Sequence, residues 1–136
     1  MRKILIDTNA YSRFMAGEQS VLNELSRADQ IYLSVFVLGE LFTGFQGGSK
    51  QQQNRLWLEQ FTLRPTVHVL NATQETAEVF AKIKTALKKS GRPIPINDVW
   101  IAAHSIETGS VLVTFDTHFD NVPGLRLWDH VEHQQV

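Results

Sequence analysis

Short apolar runs alternate along the chain with longer stretches of helical periodicity. Apolar runs predict β-strands at residues 3–6, 31–34, 66–70 and 111–114, with a further candidate strand at 125–127. Apolar residues spaced three or four apart predict helices near 20–28 and at 35–45, 51–61, 73–90 and 97–108. Strands separated by helices need crossover connections, so we expect an α/β fold with a mostly parallel central sheet covered on both faces.

Residues that favour helix ends support several of these boundaries. Thr73 is a good N-cap for the helix at 73–90, and Gly91 follows its last turn. Gly109 ends the helix at 97–108 in the same way. Directly after the first strand, the sequence Asp-Thr-Asn at 7–9 consists of capping and turn residues, so we predict a cap or turn there.

Length and composition indicate one globular domain over residues 1–136. The chain is 43% hydrophobic and 20% charged, which excludes intrinsically disordered and low-complexity classes. It contains no cysteine, so disulfide scaffolds, thiolate metal sites and cysteine nucleophiles are excluded. The first apolar stretch is too short for a signal peptide, and no later run reaches the length of a membrane span. We therefore expect a soluble, cytoplasmic protein without a membrane partner.

The net charge of the chain is close to zero. Thirteen Lys and Arg residues stand against fourteen Asp and Glu residues, for a formal charge of −1. Proteins that coat nucleic acid by bulk electrostatics carry a clear positive excess, so that mode of binding is disfavoured. A local basic edge beside an acidic pocket remains compatible with this balance.

Four acidic residues stand where a parallel sheet would bring them together. Asp7 and Asp116 follow the first and fourth predicted strands, and ligands bind at the carboxyl ends of strands in open parallel sheets. Glu40 lies among apolar neighbours in a predicted helix, and Asp98 lies in the first turn of another. Each residue alone has an ordinary explanation, because acids cap helices, favour their first turn, or face water from an amphipathic helix.

Taken together, these four acids predict a site for a hard divalent cation. Converging carboxylates repel one another, and Mg²⁺ or Mn²⁺ relieves that repulsion through oxygen ligands. Zinc fits less well, because the chain offers neither cysteine nor a paired histidine motif. Nearby candidates are Asp120 as a fifth, less certain ligand, and Thr8, Asn9 and Thr114 as groups that hold the carboxylates or their waters, although capping and turn formation explain these three residues equally well.

The segments that carry these acids resemble the motifs of the PIN domain, and within it those of VapC-type toxin ribonucleases from prokaryotic VapBC toxin–antitoxin pairs. The resemblance covers almost the whole chain in the same order. The matching segments are ILIDTN at 4–9, VLGEL at 37–41, PINDVWIAA at 95–103, LVTFDTHF at 112–119 and PGL at 123–125. One departure is Phe115, where many such toxins have Asn before the last Asp.

The resemblance implies a PIN-like three-layer α/β/α fold and a metal-dependent endoribonuclease. In such an enzyme Asp7, Glu40, Asp98 and Asp116 would hold one or two Mg²⁺ or Mn²⁺ ions. Water activated by the metal would hydrolyse RNA phosphodiester bonds and leave 5′-phosphate and 3′-hydroxyl ends. The resemblance also implies a homodimer that is inhibited by a VapB-type antitoxin.

Basic residues near the acids are candidates for RNA binding. Lys88, Lys89 and Arg92 precede the segment that leads to Asp98, and Arg13 lies about one turn beyond Asp7. These side chains would hold RNA phosphates, but cations also complement the C-terminus of a helix, and that explanation is the more ordinary one. Among the histidines, His118 stands beside Asp116, whereas His130 and His133 fall in a polar C-terminal stretch.

Other functions remain open at this stage. A PIN-type nuclease that acts in RNA processing outside a toxin–antitoxin pair would carry the same acids, whereas a catalytically silent metal-binding module usually loses one of the four, and all four are present here. A receiver-type signalling domain fits poorly, because paired acids after the first strand and a lysine after the late strand are missing. A short antitoxin reading frame directly upstream would favour the toxin.

Overall fold

The computed structural model of the protein describes residues 1–129; His130 and His133 lie outside this range. Its elements in chain order are β1 Lys3–Ile6, α1 Thr8–Met15, α2 Gln19–Arg27, β2 Gln30–Ser34, α3 Val35–Phe45, α4 Gln51–Thr62, β3 Val67–Leu70, α5 Gln74–Ser90, α6 Ile96–Thr108, β4 Val111–Val113 and a 3₁₀ helix, Thr117–Asn121. None of the helices within residues 1–129 has the length and apolar character needed to cross a membrane.

The four strands form one parallel sheet in the order β3-β2-β1-β4. Strand β1 is central: Ile4 pairs with Ile31 of β2 on one side and with Val111 of β4 on the other. Its last three residues, 4–6, are fully buried, because helices cover both faces of the sheet. The α/β prediction and the three-layer arrangement are confirmed.

The predicted boundaries hold to within one or two residues for most elements. Helix α5 begins with a capping box in which the side chains of Thr73 and Thr76 each bond the other residue's backbone N–H. It ends at Gly91, whose φ of 69° lies in the left-handed region that glycine adopts without steric cost. Gly109 ends α6 with the same conformation.

Two details differ from the sequence-based expectations. The cap predicted after β1 is confirmed, since Asp7 is the N-cap of α1, but the helix itself was not predicted because it begins with polar residues. The candidate fifth strand at 125–127 is reduced to a single bridge between Leu127 and Leu112. Because Pro123 and Gly124 form a turn just before it, only this short stretch runs beside β4.

Helix α6 is fixed against α3 and α5 by aromatic stacking. The ring of Trp100 lies between Phe36 of α3 and Phe80 of α5, with centroid distances of 5.1 and 3.9 Å. Buried His104 adds a polar tie, since its Nε2 donates to the carbonyl of Asn71 at 3.2 Å and its Nδ1 accepts from the Ser34 hydroxyl at 2.9 Å. These contacts set the positions of the two helices that carry Glu40 and Asp98.

Candidate active site

The strand order opens a crevice at the carboxyl ends of β1 and β4. From β1 the chain proceeds outward to β2 and β3 on one side, and it returns to place β4 on the other side of β1. At such a switch point the connections leave in opposite directions, and ligands bind in the gap between them. Asp7 follows β1 and Asp116 lies just beyond β4, so both acids stand at this gap.

Asp7 is the buried member of the group, with only 4% of its surface exposed. Its Oδ1 accepts the backbone N–H of Ala10 at 2.9 Å, which makes it the N-cap of α1. Its Oδ2 accepts the hydroxyl of Thr114 at 2.5 Å. Burial raises the pKa of Asp7 to about 6, against these two hydrogen bonds, and the charges of Asp116 and Asp98 add to the rise.

The raised pKa predicts a pH-dependent stability for the metal-free protein. An acid whose folded pKa lies above its unfolded value of 3.8 destabilises the ionised folded state. The free energy of unfolding contributed by Asp7 should therefore fall as pH rises from about 4 to about 6, by up to about 3 kcal/mol. Urea unfolding in EDTA at a series of pH values would measure this slope.

Asp7→Asn supplies the comparison for that measurement. The amide keeps an oxygen for the Ala10 N–H but carries no charge. The variant should thus be more stable than the wild type at pH 7, and the fall in stability between pH 4 and 6 should be smaller. Equal slopes for the two proteins would contradict the assigned pKa.

Asp98 enters the crevice from the first turn of α6. Its side chain is 15% exposed, and its Oδ2 lies 2.6 Å from Nε2 of His118. Burial raises the pKa of Asp98, the neighbouring imidazole opposes the rise, and the charges of Glu40 and Asp116 add to it. The contact with His118 fixes one oxygen of this carboxylate.

The other two acids are each held by a polar side chain of α1. The Thr8 hydroxyl donates to Oε1 of Glu40 at 2.7 Å, and Nδ2 of Asn9 donates to Oδ2 of Asp116 at 3.3 Å. Glu40 is half-buried on α3: Val37 and Leu41 of that helix face the core, and the Glu40 carboxylate points to Thr8 at the start of α1. Thr8, Asn9 and Thr114 thus each donate to the side chain of an acid that is distant in the sequence, and not to that of the acid beside which the sequence places them.

The donor set suits a hard divalent cation. The charges of Asp98 and Asp116 raise the pKa of Asp7, and the charges of Glu40 and Asp116 raise the pKa of Asp98. The electrostatic fields of the four acids therefore overlap in the crevice. Within residues 1–129 no three acidic or histidine side chains are already gathered closely enough to hold a metal ion jointly. Mg²⁺ keeps several of its waters and needs only one or two direct carboxylates, so the chemistry of these oxygens fits that ion.

The other candidate residues are Asp120 and the basic side chains near the end of α5, which all lie at the protein surface. Asp120 is exposed on the 3₁₀ helix that follows Asp116. Lys88 and Lys89 are exposed at the end of α5. Arg92 reaches the loop beyond Asp116 by donating from Nη1 to Oδ1 of Asn121 at 3.4 Å.

Arg13 has a defined place that sequence analysis did not foresee. Its guanidinium carbon lies 3.9 Å from the centre of the Phe115 ring, a cation–π arrangement, and Nη1 lies 3.3 Å from the carboxylate of Glu18. Phe115 thus holds an arginine beside Asp116. The pairing of His118 with Asp98 was also missed. The only sequence signal was nearness to an acid, since Arg13 follows Asp7 by six residues and His118 follows Asp116 by two.

This arrangement of acids and strands agrees with comparison to known proteins. The sequence pattern that defines the PIN domain matches residues 4–125, nearly the whole chain. The chain belongs to the PIN domain family. Within that family its similarity is to VapC proteins. Ribonuclease VapC1 of Haemophilus influenzae strain R2866 is 30% identical to this PIN domain over 130 residues, covering 92% of this chain and 96% of the relative.

Further relatives and solved structures give the same result. The tRNA(fMet)-specific endonuclease VapC of Shigella flexneri is 29% identical over 132 residues, which span 95% of this chain and 98% of that protein. A crystal structure of VapBC-1 from nontypeable Haemophilus influenzae superposes on this PIN domain with a TM-score of 0.83 at 28% identity, covering 95% of this chain and 98% of the other. The resemblance read from the sequence motifs is therefore confirmed.

Proposed function

We propose that this PIN domain is the toxin of a toxin–antitoxin pair and acts as an endoribonuclease. The observation that carries the proposal is the set of four carboxylates at the crevice between β1 and β4, where burial and the charges of neighbouring acids raise the pKa of Asp7 and of Asp98. The similarity to proteins named ribonuclease and endonuclease VapC supports RNA as the substrate. A silent binding module would have no need to keep four repelling acids around a partly buried crevice.

Asp7, Glu40, Asp98 and Asp116 are the residues that would hold Mg²⁺ or Mn²⁺ in this proposal. When bound, the ion lowers the pKa of a coordinated water and neutralises charge on the phosphodiester. Hydrolysis breaks the bond between phosphorus and the 3′ oxygen, and the products carry 5′-phosphate and 3′-hydroxyl ends. Asp120, which is exposed on the 3₁₀ helix four residues after Asp116, stays the candidate fifth ligand of this proposal.

Neighbouring side chains keep the four carboxylates oriented before substrate arrives. Thr114 fixes one oxygen of Asp7, and Thr8 fixes one oxygen of Glu40. The contact with His118 does the same for Asp98. Each fixed carboxylate retains lone pairs for further bonds. Holding ligands in this way avoids the cost of ordering them during the reaction, and loss of such partners typically lowers metal affinity or activity about 10- to 100-fold.

The basic residues beside the crevice are assigned to the RNA backbone. Arg13 is held on Phe115 next to Asp116, and Arg92 is tied to the loop beyond it. With Lys88 and Lys89 they supply cations that offset the repulsion between the acidic crevice and a polyanion. Their half-exposed or exposed positions allow phosphates to approach.

The proposed partners follow from the same comparisons. Solved structures similar to this chain are VapBC complexes from Rickettsia felis, Haemophilus influenzae and Salmonella typhimurium. These complexes support a VapB-type antitoxin as the inhibitor. The homodimer is proposed only from the resemblance of the sequence motifs. The setting proposed for the reaction is the cytoplasm, where RNA substrates are available.

Cleavage of end-labelled RNA by the purified protein tests this function. Products should appear with Mg²⁺ or Mn²⁺, carry 5′-phosphate, and disappear when EDTA is added. The expected loss on chelation is complete within detection, because without the cation the charge of the phosphodiester stays unneutralised beside four carboxylates and no coordinated water is acidified. Co-expression with the protein of a short upstream reading frame should suppress the activity.

A clear result would overturn the assignment. Cleavage that continues at full rate in EDTA would rule out the metal mechanism. Products with 2′,3′-cyclic phosphate would do the same, because that end arises from attack by the ribose hydroxyl rather than by water. Absence of cleavage on every RNA class, from preparations free of antitoxin, would favour the binding module.

A further inference from the structure

A second cavity lies between the end of α5 and the segment that leads into α6. Its volume is about 420 Å³, within the range of roughly 300–1,000 Å³ that is typical of ligand pockets. The buried side chains of Leu87, Ile94 and Val99 contribute its apolar lining, and exposed Pro93 stands at its edge. Neither the acids nor the residues that orient them line this pocket.

Two uncompensated lysines flank the same pocket. Lys84 and Lys88 are exposed, one turn apart on α5, and both line the cavity. Within residues 1–129 no carboxylate lies within ion-pair distance of either amine. They belong to a stretch, residues 79–97, that holds five of the thirteen Lys and Arg residues and no acid. The pocket therefore has an apolar interior and a positive rim.

The pocket adjoins the candidate active site through two connections. Val99, in the pocket lining, is the residue after Asp98 in the first turn of α6. On the other side, Arg92 joins the pocket segment to Asn121 at the end of the 3₁₀ helix that follows Asp116. If the reacting bond of a polymer lies at the acids, a neighbouring unit of that polymer would thus lie close to this pocket.

The chemistry of the pocket matches one nucleotide. An unpaired base offers a flat, largely apolar face, and the phosphates on either side carry the negative charge that lysines attract. Lysine binds phosphate as a point charge and places no demand on base identity. An apolar peptide would fill the interior but would leave both lysines without a counter-charge.

We propose that this pocket binds an unpaired nucleobase of the RNA substrate, next to the bond that is cut, while Lys84 and Lys88 hold the adjoining phosphates. The proposal rests on the ribonuclease function proposed above. It gives the enzyme a subsite that selects single-stranded RNA, since a base inside a duplex is not free to enter.

Binding of RNAs that lack single bases tests the subsite. The starting material is a short single-stranded RNA in which the wild-type protein cuts one mapped bond. Fluorescein-labelled copies, each with one abasic ribose, keep every phosphate and lose one base. Anisotropy in EDTA, where no hydrolysis occurs, gives the affinity of the full chain. Removal of the base at one position beside the cut bond should weaken wild-type binding about tenfold, since the apolar contact between that base and the pocket is lost.

Protein variants then test whether the loss of RNA affinity arises in this pocket. Ile94→Ala should bind the intact RNA more weakly and respond less than the wild type to loss of that base. Lys84→Met should weaken binding and lower its salt dependence, since it removes one phosphate contact. The matched control is Lys82→Met, which removes the same charge from an exposed position of α5 outside the pocket lining. Melting temperatures verify that each variant is folded.

The outcomes separate this proposal from the one on which it rests. If RNA is cut but no single base matters for affinity, or if Lys82→Met and Lys84→Met weaken binding equally, the subsite is wrong and the ribonuclease function stands. If the pocket variants change the oligomeric state or antitoxin binding and leave RNA affinity intact, the pocket serves a protein partner. If no RNA is cut at all, both proposals fall.

Discussion

Asp98→Asn should slow metal-dependent RNA cleavage by about a hundredfold or more. Asn keeps an oxygen at the position that His118 contacts, but it removes the negative charge that would hold the cation. A catalytic metal contributes several kcal/mol of transition-state stabilisation, and each ~1.4 kcal/mol corresponds to a factor of ten in rate. Initial rates at saturating RNA over a range of Mn²⁺ concentrations would give this value.

The metal itself supplies an independent readout for Asp98. Calorimetric titration with Mn²⁺ should show weaker binding to the variant than to the wild type, without any RNA present. Glu78→Gln is the matched control, because Glu78 is an exposed acid on α5 outside the crevice. A variant at Asp98 that kept its cleavage rate and its Mn²⁺ affinity would remove this residue from the site.

Phe119→Ala should produce the largest loss of stability among single changes near the site. Phe119 is fully buried and is the largest of the side chains that are completely enclosed. It lies in the 3₁₀ helix, and its ring contacts that of His118 with centroids 4.9 Å apart. Truncation loses buried apolar area and leaves a cavity, which together cost about 3–5 kcal/mol. Urea unfolding would measure the shift.

The same substitution should also reduce RNA cleavage in molecules that remain folded. The 3₁₀ helix follows Asp116 and carries His118, so burial of the Phe119 ring in the core keeps both of these residues in position. Leu63→Ala is the comparison, since Leu63 is 75% exposed and its truncation should change the free energy of unfolding by about 0.5 kcal/mol or less. Equal destabilisation by the two variants would contradict the packing described for Phe119.

The acids of the crevice lower the stability of the folded protein, which is expected if they serve the proposed function and not the fold. Burial raises the pKa values of Asp7 and Asp98, so their charged forms are held in the folded protein at a cost. Residues that serve only the fold would not require unfavourable charges at the end of a buried sheet. The expected gain in stability of Asp7→Asn, combined with loss of activity, would show this directly.

The sequence alone determined the features that depend on nearby residues. Apolar periodicity predicted every strand of the sheet, and capping residues such as Thr73 and Gly91 marked the ends of α5. Placing Asp7 and Asp116 after strands also required only local information. The helix α1 was not predicted because it is only eight residues long and begins with two polar residues; it is stabilised by the Asp7 cap and by the packing of Ala10 and Tyr11.

Only the tertiary structure decided which of these residues meet. The order β3-β2-β1-β4 places Asp116 beside Asn9, 107 positions earlier in the chain. The same packing brings His118 to Asp98, Arg13 onto Phe115, and two lysines to the rim of an apolar pocket. Hydrophobic periodicity determines which face of each segment is buried, whereas the segments that become neighbours depend on how all of them pack around one core.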